Sequence, residues 1–192
     1  MKATRLSLLK DKMTTQAKEY PHVTESEAQA IWLEAKSSEV KLWIKTHWFT
    51  GLRISEVLNL KAGDLKVYGG DYCLEVTRGK KRKVVPEELP IPQDLGMAIR
   101  EYIQGSDLRP SDKLFPGHKN SYRYQLRQCA KRAGINHWEK IHPHMFRHGF
   151  VYHKLKGNKI EVVNRLVGHE NIATTMLYFH PTQEDLREAM EK

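Results

Sequence analysis

Apolar residues recur at helical spacing over most of the chain, with one interval of alternating residues before its middle. The segment Thr24-Glu25-Ser26-Glu27 has the form of a capping box, and apolar residues at helical spacing follow it. A second helical pattern covers about 40–49, stops at Gly51 and resumes over about 54–60. Later patterns predict helices over about 93–105, 119–133, 143–155, 158–167 and 171–177.

Between about 64 and 88 the apolar period falls to two, which is typical of strands. Three short strands are predicted near 65–67, 72–76 and 84–85, joined by turns at 69–71 and 78–83. Pro86, Pro90 and Pro92 are expected to close the sheet. The predicted fold class is therefore mainly α with a small three-stranded antiparallel sheet (α+β).

Composition sets the size and class of the protein. With 192 residues, 40% of them hydrophobic, the chain can bury one globular core. We expect a basic arm over 1–21, one domain over 22–182 and an amphipathic tail helix over 183–192. No apolar run is long enough to cross a membrane, and the first residues lack a secretion signal. A cytoplasmic protein is expected, with Cys73 and Cys129 as reduced, buried thiols.

Net charge favours a polyanionic partner. Thirty-two Lys and Arg against twenty-three Asp and Glu give +9, and nucleic acid is the commonest partner of such a surplus. The charge is concentrated in the turn over 78–83 and along the predicted helix over 119–133. DNA contacts are therefore expected from Arg78, Lys81, Arg82, Lys83, Arg123, Arg127 and Lys131.

Arg53 follows the Gly51 break inside an otherwise apolar helical stretch. Its apolar neighbours suggest partial burial, which is costly for a cation unless it meets an anion. The anion can be a ligand, but a structural salt bridge with Glu56 is the favoured explanation when this segment is taken alone.

The segment His142-Pro143-His144-Met145-Phe146-Arg147-His148 has a proline suited to a helix start. His144 and Arg147 are three apart, so they share a helical face and can present an imidazole and a guanidinium to one phosphate. Surface histidines on a basic helix are the alternative. A metal site is not favoured, because neither an HExxH motif nor a cysteine pair accompanies these histidines.

Near the end of the chain, Leu166-Val167-Gly168-His169 is followed by Tyr178. Taken alone, a tyrosine in this position is most simply explained by packing. Arg78-Gly79-Lys80-Lys81-Arg82-Lys83, taken alone, is explained by a solvated hairpin.

Together these segments resemble the tyrosine recombinase (phage integrase) family over roughly residues 22–180, in the family's order. The run TGLRISEVLNL over 50–60 resembles the family's first box, which identifies Arg53. HPHMFRH resembles the His-x-x-Arg box and LVGH the later histidine position, with Tyr178 in the nucleophile position. The family's lysine corresponds to Lys80, although the turn RGKKRK is shorter than common versions, and Arg78 or Lys81 could align instead.

The resemblance implies the tyrosine recombinase catalytic-domain fold and cleavage and rejoining of DNA strands through a 3′-phosphotyrosyl intermediate, without metal, cofactor or ATP. It implies catalytic roles for Arg53, Lys80, His144, Arg147, His169 and Tyr178. Glu56 is expected to orient Arg53 as a supporting carboxylate. Residues 1–21 are too few for the family's DNA-clamping domain, so a catalytic-domain fragment or a minimal recombinase, similar in layout to the fimbrial phase-switch invertases, is expected.

The implied partner is double-stranded DNA, bound by a homotetramer on paired sites, with the chain a monomer when DNA is absent. The tail over 183–192 is expected to pack on a neighbouring protomer, as such tails often do in the family. Two other functions remain open: strand relaxation like that of a type IB topoisomerase, and a non-catalytic DNA-binding regulator on the same fold.

Overall fold

The structure is a computed structural model that describes residues 20–78, 85–179, 187 and 190–191. The chain divides into two units, of which the larger is Pro21–Phe179. Of the smaller unit, residues 187 and 190–191 are helical and exposed. Residues 1–19 of the basic arm and the rest of the tail over 183–192 lie outside the described residues, so the predictions for the arm and the tail stay predictions.

The larger unit is mainly helical, as the apolar periods predict. Its helices are α1 (Glu25–Leu33), α2 (Ser38–Thr50), α3 (Ile54–Val57), α4 (Gln93–Gly105), α5 (Lys119–Arg132), α6 (Pro143–Leu155), α7 (Ile160–Val167) and α8 (Ile172–Met176). Single 3-10 turns lie at Ala62–Asp64 and Trp138–Lys140. Within the described residues no helix is both long and apolar enough to cross a membrane.

Local capping signals determine where α1 and α2 begin and end. The predicted capping box is confirmed, because Glu27 donates its backbone N–H to the Thr24 hydroxyl and the Thr24 N–H donates to the Glu27 carboxylate. Helix α2 ends at Gly51, which has the left-handed φ of 61°. A Cβ at Gly51 would overlap the Phe150 ring, so both the backbone angle and the packing require glycine here.

Three antiparallel strands form the sheet in the order β1 (Leu65–Tyr68), β2 (Asp71–Arg78) and β3 (Val85–Pro90). The expectation that the prolines close the sheet was wrong for Pro86, which pairs with Thr77 inside the ladder. Strand β3 does end at Pro90, and Pro92 lies beyond it at the start of α4. Strand β3 lies at the edge of this sheet. Prolines lack a backbone N–H, and an edge strand tolerates them because it has a neighbouring strand on one side only.

One hydrophobic core joins the helices to one face of the sheet. Trp43 and Ile44 of α2 and Phe146 of α6 are fully buried in it. Cys129 is buried as predicted, but Cys73 is only partly buried, because it alternates with the core residues of β2 and points to the other face of the sheet. Both thiols are free.

Candidate active site

Arg147 lies at the centre of the predicted residues. It is 3% exposed, and its guanidinium donates to the carbonyl oxygen of Gly51 at 2.7 Å and to that of Val167 at 2.8 Å. Burial, reinforced by the charge of Arg53, lowers the pKa of Arg147 to about 10. Within the described residues no carboxylate forms an ion pair with this buried cation. The site is therefore strongly electropositive and suited to an anion.

Arg53 lies at the N-terminus of α3, two residues after Gly51, whose carbonyl oxygen Arg147 binds. Glu56 accepts from its backbone N–H at 2.7 Å and from its guanidinium at 2.9 Å, so the anticipated salt bridge is present. The carboxylate is 8% exposed, whereas 40% of the Arg53 side chain remains open to solvent. A buried carboxylate thus holds the guanidinium by one edge and leaves its other side accessible.

His169 follows a second left-handed glycine, Gly168, at the end of α7. Its Nδ1 lies 2.9 Å from the Thr175 hydroxyl, which donates in turn to Oδ1 of Asn164 at 2.8 Å. The only hydroxyl proton of Thr175 is thereby used, so Nδ1 of His169 must carry the proton of the neutral ring. Burial and the nearby charge of Arg147 lower the pKa of His169 to about 4, and the ring is neutral at pH 7.

Tyr178 is 8% exposed and packs among aromatic rings. Its hydroxyl lies 2.6 Å from Nδ1 of His148, its ring is edge-on to Tyr152 at 5.2 Å, and the His169 ring stacks at 6.4 Å. His148 was missed by the sequence analysis. The available signal was the spacing of four that places His144, His148 and Tyr152 on one face of α6.

His144 is exposed, and its ring meets that of His148 edge-on at 4.8 Å. Partial burial and then the charge of Arg147 lower the pKa of His144. Among the described residues, the hydroxyl of Tyr178 is hydrogen-bonded by His148 and not by His144. The structure therefore brings five of the six predicted catalytic residues together: Arg53, His144, Arg147, His169 and Tyr178.

Some residues expected to contact DNA are described by the structure, and others are not. Lys80, Lys81, Arg82 and Lys83 lie outside the described residues. Arg78 has protein partners, because its guanidinium donates to the carbonyl oxygens of Arg165 at 3.2 Å and Leu166 at 2.6 Å and pairs with Glu87 at 3.4 Å. Only 10% of its side chain is exposed, and it caps the end of α7, so its DNA contact stays a prediction.

The basic helix α5 keeps part of its charge at the surface. Arg123 and Lys131 are exposed, with the Lys131 ammonium 4.9 Å from the centre of the Trp138 ring. Arg127 is partly buried and donates to the carbonyl oxygen of Ile141 at 3.1 Å. Two of the three predicted contacts on this helix are thus open to solvent.

In the part of the chain that the structure describes, no three His, Cys, Asp or Glu side chains are grouped so that they could hold a metal ion.

Comparisons with known proteins agree on one family. The model of the phage integrase family matches residues 17–185. A tyrosine recombinase of Pseudothermotoga lettingae is 32% identical over 162 residues, which cover 82% of this chain and 54% of that protein. Tyrosine recombinase XerA of Thermococcus kodakarensis is 36% identical over 151 residues, covering 74% of this chain and 51% of that one. The chain spans about half the length of these curated relatives.

Solved structures share the fold. The XerH site-specific recombinase bound to difH substrate, in a pre-cleavage complex, matches with a TM-score of 0.73 and 25% identity, covering 93% of this chain and 56% of that one. The catalytic domain of bacteriophage HP1 integrase matches with a TM-score of 0.68 and 22% identity, covering 90% of this chain and 95% of that one. The predicted catalytic-domain fold is confirmed.

Proposed function

This chain belongs to the phage integrase family, and from that premise we propose that it is the catalytic domain of a site-specific DNA recombinase that cleaves and rejoins strands through Tyr178. The observation that carries the proposal is Arg147, a buried cation without a carboxylate partner among the described residues, on the same helix as the histidine bonded to the Tyr178 hydroxyl. A phosphodiester supplies the anion that this cation lacks.

Two guanidiniums would bind the phosphate. Arg147 uses two of its five N–H groups on backbone carbonyls, which fixes its plane and leaves other N–H groups for a phosphate oxygen. Arg53 offers its exposed side, held in place by Glu56. Because both cations are fixed before DNA arrives, they stabilise the charge that develops during attack without further reorganisation.

In the proposed reaction the Tyr178 oxygen attacks phosphorus, and the bond from phosphorus to the 5′ oxygen breaks. Lys80 gives that oxygen its proton, because an ammonium can surrender one where a guanidinium cannot. His144 and His169 provide hydrogen bonds to the phosphate from the exposed and the inner side. The phosphotyrosyl bond conserves the energy of the phosphodiester, so a 5′-hydroxyl from another strand reverses the step without ATP.

Partner and assembly follow from the same reaction. Relatives were solved with DNA, among them XerH with its difH substrate and the Tn1549 transposon integrase with transposon right-end DNA. For this chain we propose double-stranded DNA, contacted by Arg123 and Lys131 of α5 and by the basic turn, with a homotetramer on paired sites. Such an enzyme works at the nucleoid in the cytoplasm, where that DNA lies.

The test is adduct formation on a nicked suicide DNA substrate. The unchanged protein should form a covalent adduct, in excess EDTA as well, because the two guanidiniums supply the required charge. Tyr178→Phe should bind DNA equally well and form none, whereas Tyr152→Phe, which alters the neighbouring ring, should still form it. An adduct that maps to Tyr152, or the absence of any adduct, would contradict the proposal, and the latter would favour the non-catalytic regulator.

A further inference from the structure

The phenolic hydroxyl of Tyr178 has a direct protein partner. Nδ1 of His148 lies 2.6 Å from the hydroxyl oxygen, and the two rings are 5.4 Å apart at a tilt of 34°. Tyr152 packs edge-on against the other side of the Tyr178 ring. At 8% exposure, Tyr178 is largely shielded from water, so an imidazole in contact is better placed to receive its proton than the solvent.

We propose that His148 is the general base that takes the proton from the Tyr178 hydroxyl during attack on the phosphate. This inference rests on the proposed recombinase function. The phenolic oxygen forms its bond to phosphorus as the O–H proton moves to Nδ1 of His148, and the 5′ oxygen departs with a proton from the general acid. On rejoining, the His148 imidazolium returns the proton to the phenolic oxygen as the phosphotyrosyl bond breaks.

His148 fits this role better than His144 does. His144 is exposed and meets the His148 ring edge-on, so it lies one ring further from the Tyr178 hydroxyl and is open to solvent. His148 touches the reacting oxygen itself. The two histidines can therefore divide the work, with His144 on the phosphate and His148 on the nucleophile.

Burial and the positive charge around His148 keep its ring unprotonated before substrate binds. Burial and the positive groups nearby lower the pKa of His148 to about 4, so the ring is neutral and has a lone pair at pH 7. Among the described residues, the titratable or charged groups around this hydrogen bond include His22, His142, His144, Arg147, Tyr152, His169 and Tyr178. A bound phosphate would offset part of the positive charge, so His148 would become a better acceptor when substrate is present.

The experiment measures single-turnover cleavage of a suicide DNA duplex between pH 6 and 9 with the full chain. In His148→Asn, the amide oxygen can occupy the place of Nδ1 and accept the hydrogen bond, but it cannot take the proton. We expect His148→Asn and His148→Ala to lower cleavage by roughly 10²–10⁴-fold at pH 7, with DNA binding unchanged. Their rates should rise about tenfold per pH unit as hydroxide replaces the missing base, while the unchanged protein varies little.

His153→Asn is the matched control, because His153 lies on the same helix and pairs at 3.5 Å with Glu25. It should cleave at the unchanged rate. Wild-type cleavage by His148→Asn would show that His148 only positions Tyr178, and an equal loss at every pH would exclude proton transfer; either result overturns the inference. If the Asn variant fails to fold, His148→Gln takes its place. No adduct with the unchanged protein would instead refute the proposed function.

Discussion

Two corners of the chain, each a left-handed glycine between a longer and a short helix, are similar, and Arg147 donates a hydrogen bond to a carbonyl at each. At the first, α2 ends at Gly51 with a φ of 61°, and Arg53 leads into the short helix α3. At the second, α7 ends at Gly168 with a φ of 63°, and His169 leads towards the short helix α8. Arg147 donates to the Gly51 carbonyl at the first corner and to the Val167 carbonyl at the second, so one side chain holds the two corners together.

The corners differ in what holds the working side chain. Arg53 is held by the buried carboxylate of Glu56, whereas His169 is held by the neutral hydroxyl of Thr175. A guanidinium is charged at any physiological pH, so an anion can position it without changing its state. A carboxylate beside His169 would favour the imidazolium before substrate arrives. The neutral Thr175 hydroxyl fixes the His169 ring, so its protonation state can still change when a phosphate binds.

The largest effect should come from the side chain that both corners share. Arg147→Lys keeps the charge, but one ammonium cannot bind both carbonyls and a phosphate with the same planar geometry. We expect single-turnover cleavage to fall by roughly 10³-fold or more. Arg165→Lys, at an exposed arginine of α7, is the control and should cleave normally. A loss below tenfold for Arg147→Lys would mean that the bridge between the corners is dispensable.

The two glycines should differ in their effect on stability. Each alanine variant pays about 1–2 kcal/mol for a left-handed backbone. At Gly51 the new Cβ would also meet the Phe150 ring in the core, which adds roughly 1–3 kcal/mol. At Gly168 it meets the end of the Arg78 side chain, which can shift towards solvent and exchange its hydrogen bonds to α7 for bonds to water. Gly51→Ala should therefore lower the free energy of unfolding more than Gly168→Ala, measured by urea denaturation. Gly157→Ala, with open space around the new atom, should change little, and equal losses at the two corners would refute the packing argument.

Removing the Glu56 carboxylate at the first corner should lower the cleavage rate less than replacing Arg147. Glu56→Gln keeps an acceptor for the Arg53 backbone but weakens the bond to the guanidinium, so we expect cleavage to fall about 10–100-fold, as for other supporting partners. Glu75→Gln is the matched control, since Glu75 pairs with the partly exposed Lys66 on the sheet. If Glu56→Gln cleaves within threefold of the unchanged protein, Glu56 does not position Arg53 for the reaction.

The sequence predicted the helix boundaries well, because they depend on residues close by in the chain. Helices over 93–105 and 143–155 begin and end where the apolar period and the proline signals predicted, because caps and periods act within a few residues. Strand β3 was predicted too short, because prolines are tolerated mainly in edge strands and the local sequence does not show that this strand lies at an edge.

Long-range contacts account for the remaining differences. Arg78 was assigned to DNA from the density of charge in its turn, but it folds onto carbonyls of α7, far along the chain. His148 was passed over because its partner, Tyr178, is thirty positions away and is brought to it only by the packing of α6, α7 and α8. Residue types and spacing thus predicted which side chains share the site, while the assignment of their hydrogen-bond partners required the fold.

The smallest effect is expected at the second corner, from Thr175→Val. For His169 to donate to a phosphate from Nε2, the neutral ring must change tautomer or the ring must become charged. The tautomer changes if the Thr175 hydroxyl turns from Asn164 to Nδ1 of His169, which exchanges one neutral hydrogen bond worth about 1 kcal/mol. Charging a ring of pKa about 4 at pH 7 costs about 4 kcal/mol before the phosphate contributes. The hydroxyl rotation is therefore the less costly route.

Thr175→Val removes this rotating hydroxyl and keeps the shape of a side chain that is fully buried. Cleavage should fall about tenfold or less, because only one neutral hydrogen bond to His169 is lost, and Thr175→Ser should restore most of it. Long-range ¹H–¹⁵N spectra of the histidine rings provide the direct measurement. His169 should carry its proton on Nδ1 in the DNA-free protein and lose that preference in Thr175→Val. A proton already on Nε2 in the unchanged protein, or a loss of cleavage as large as that of Glu56→Gln, would mean that a neutral partner does not set the state of His169.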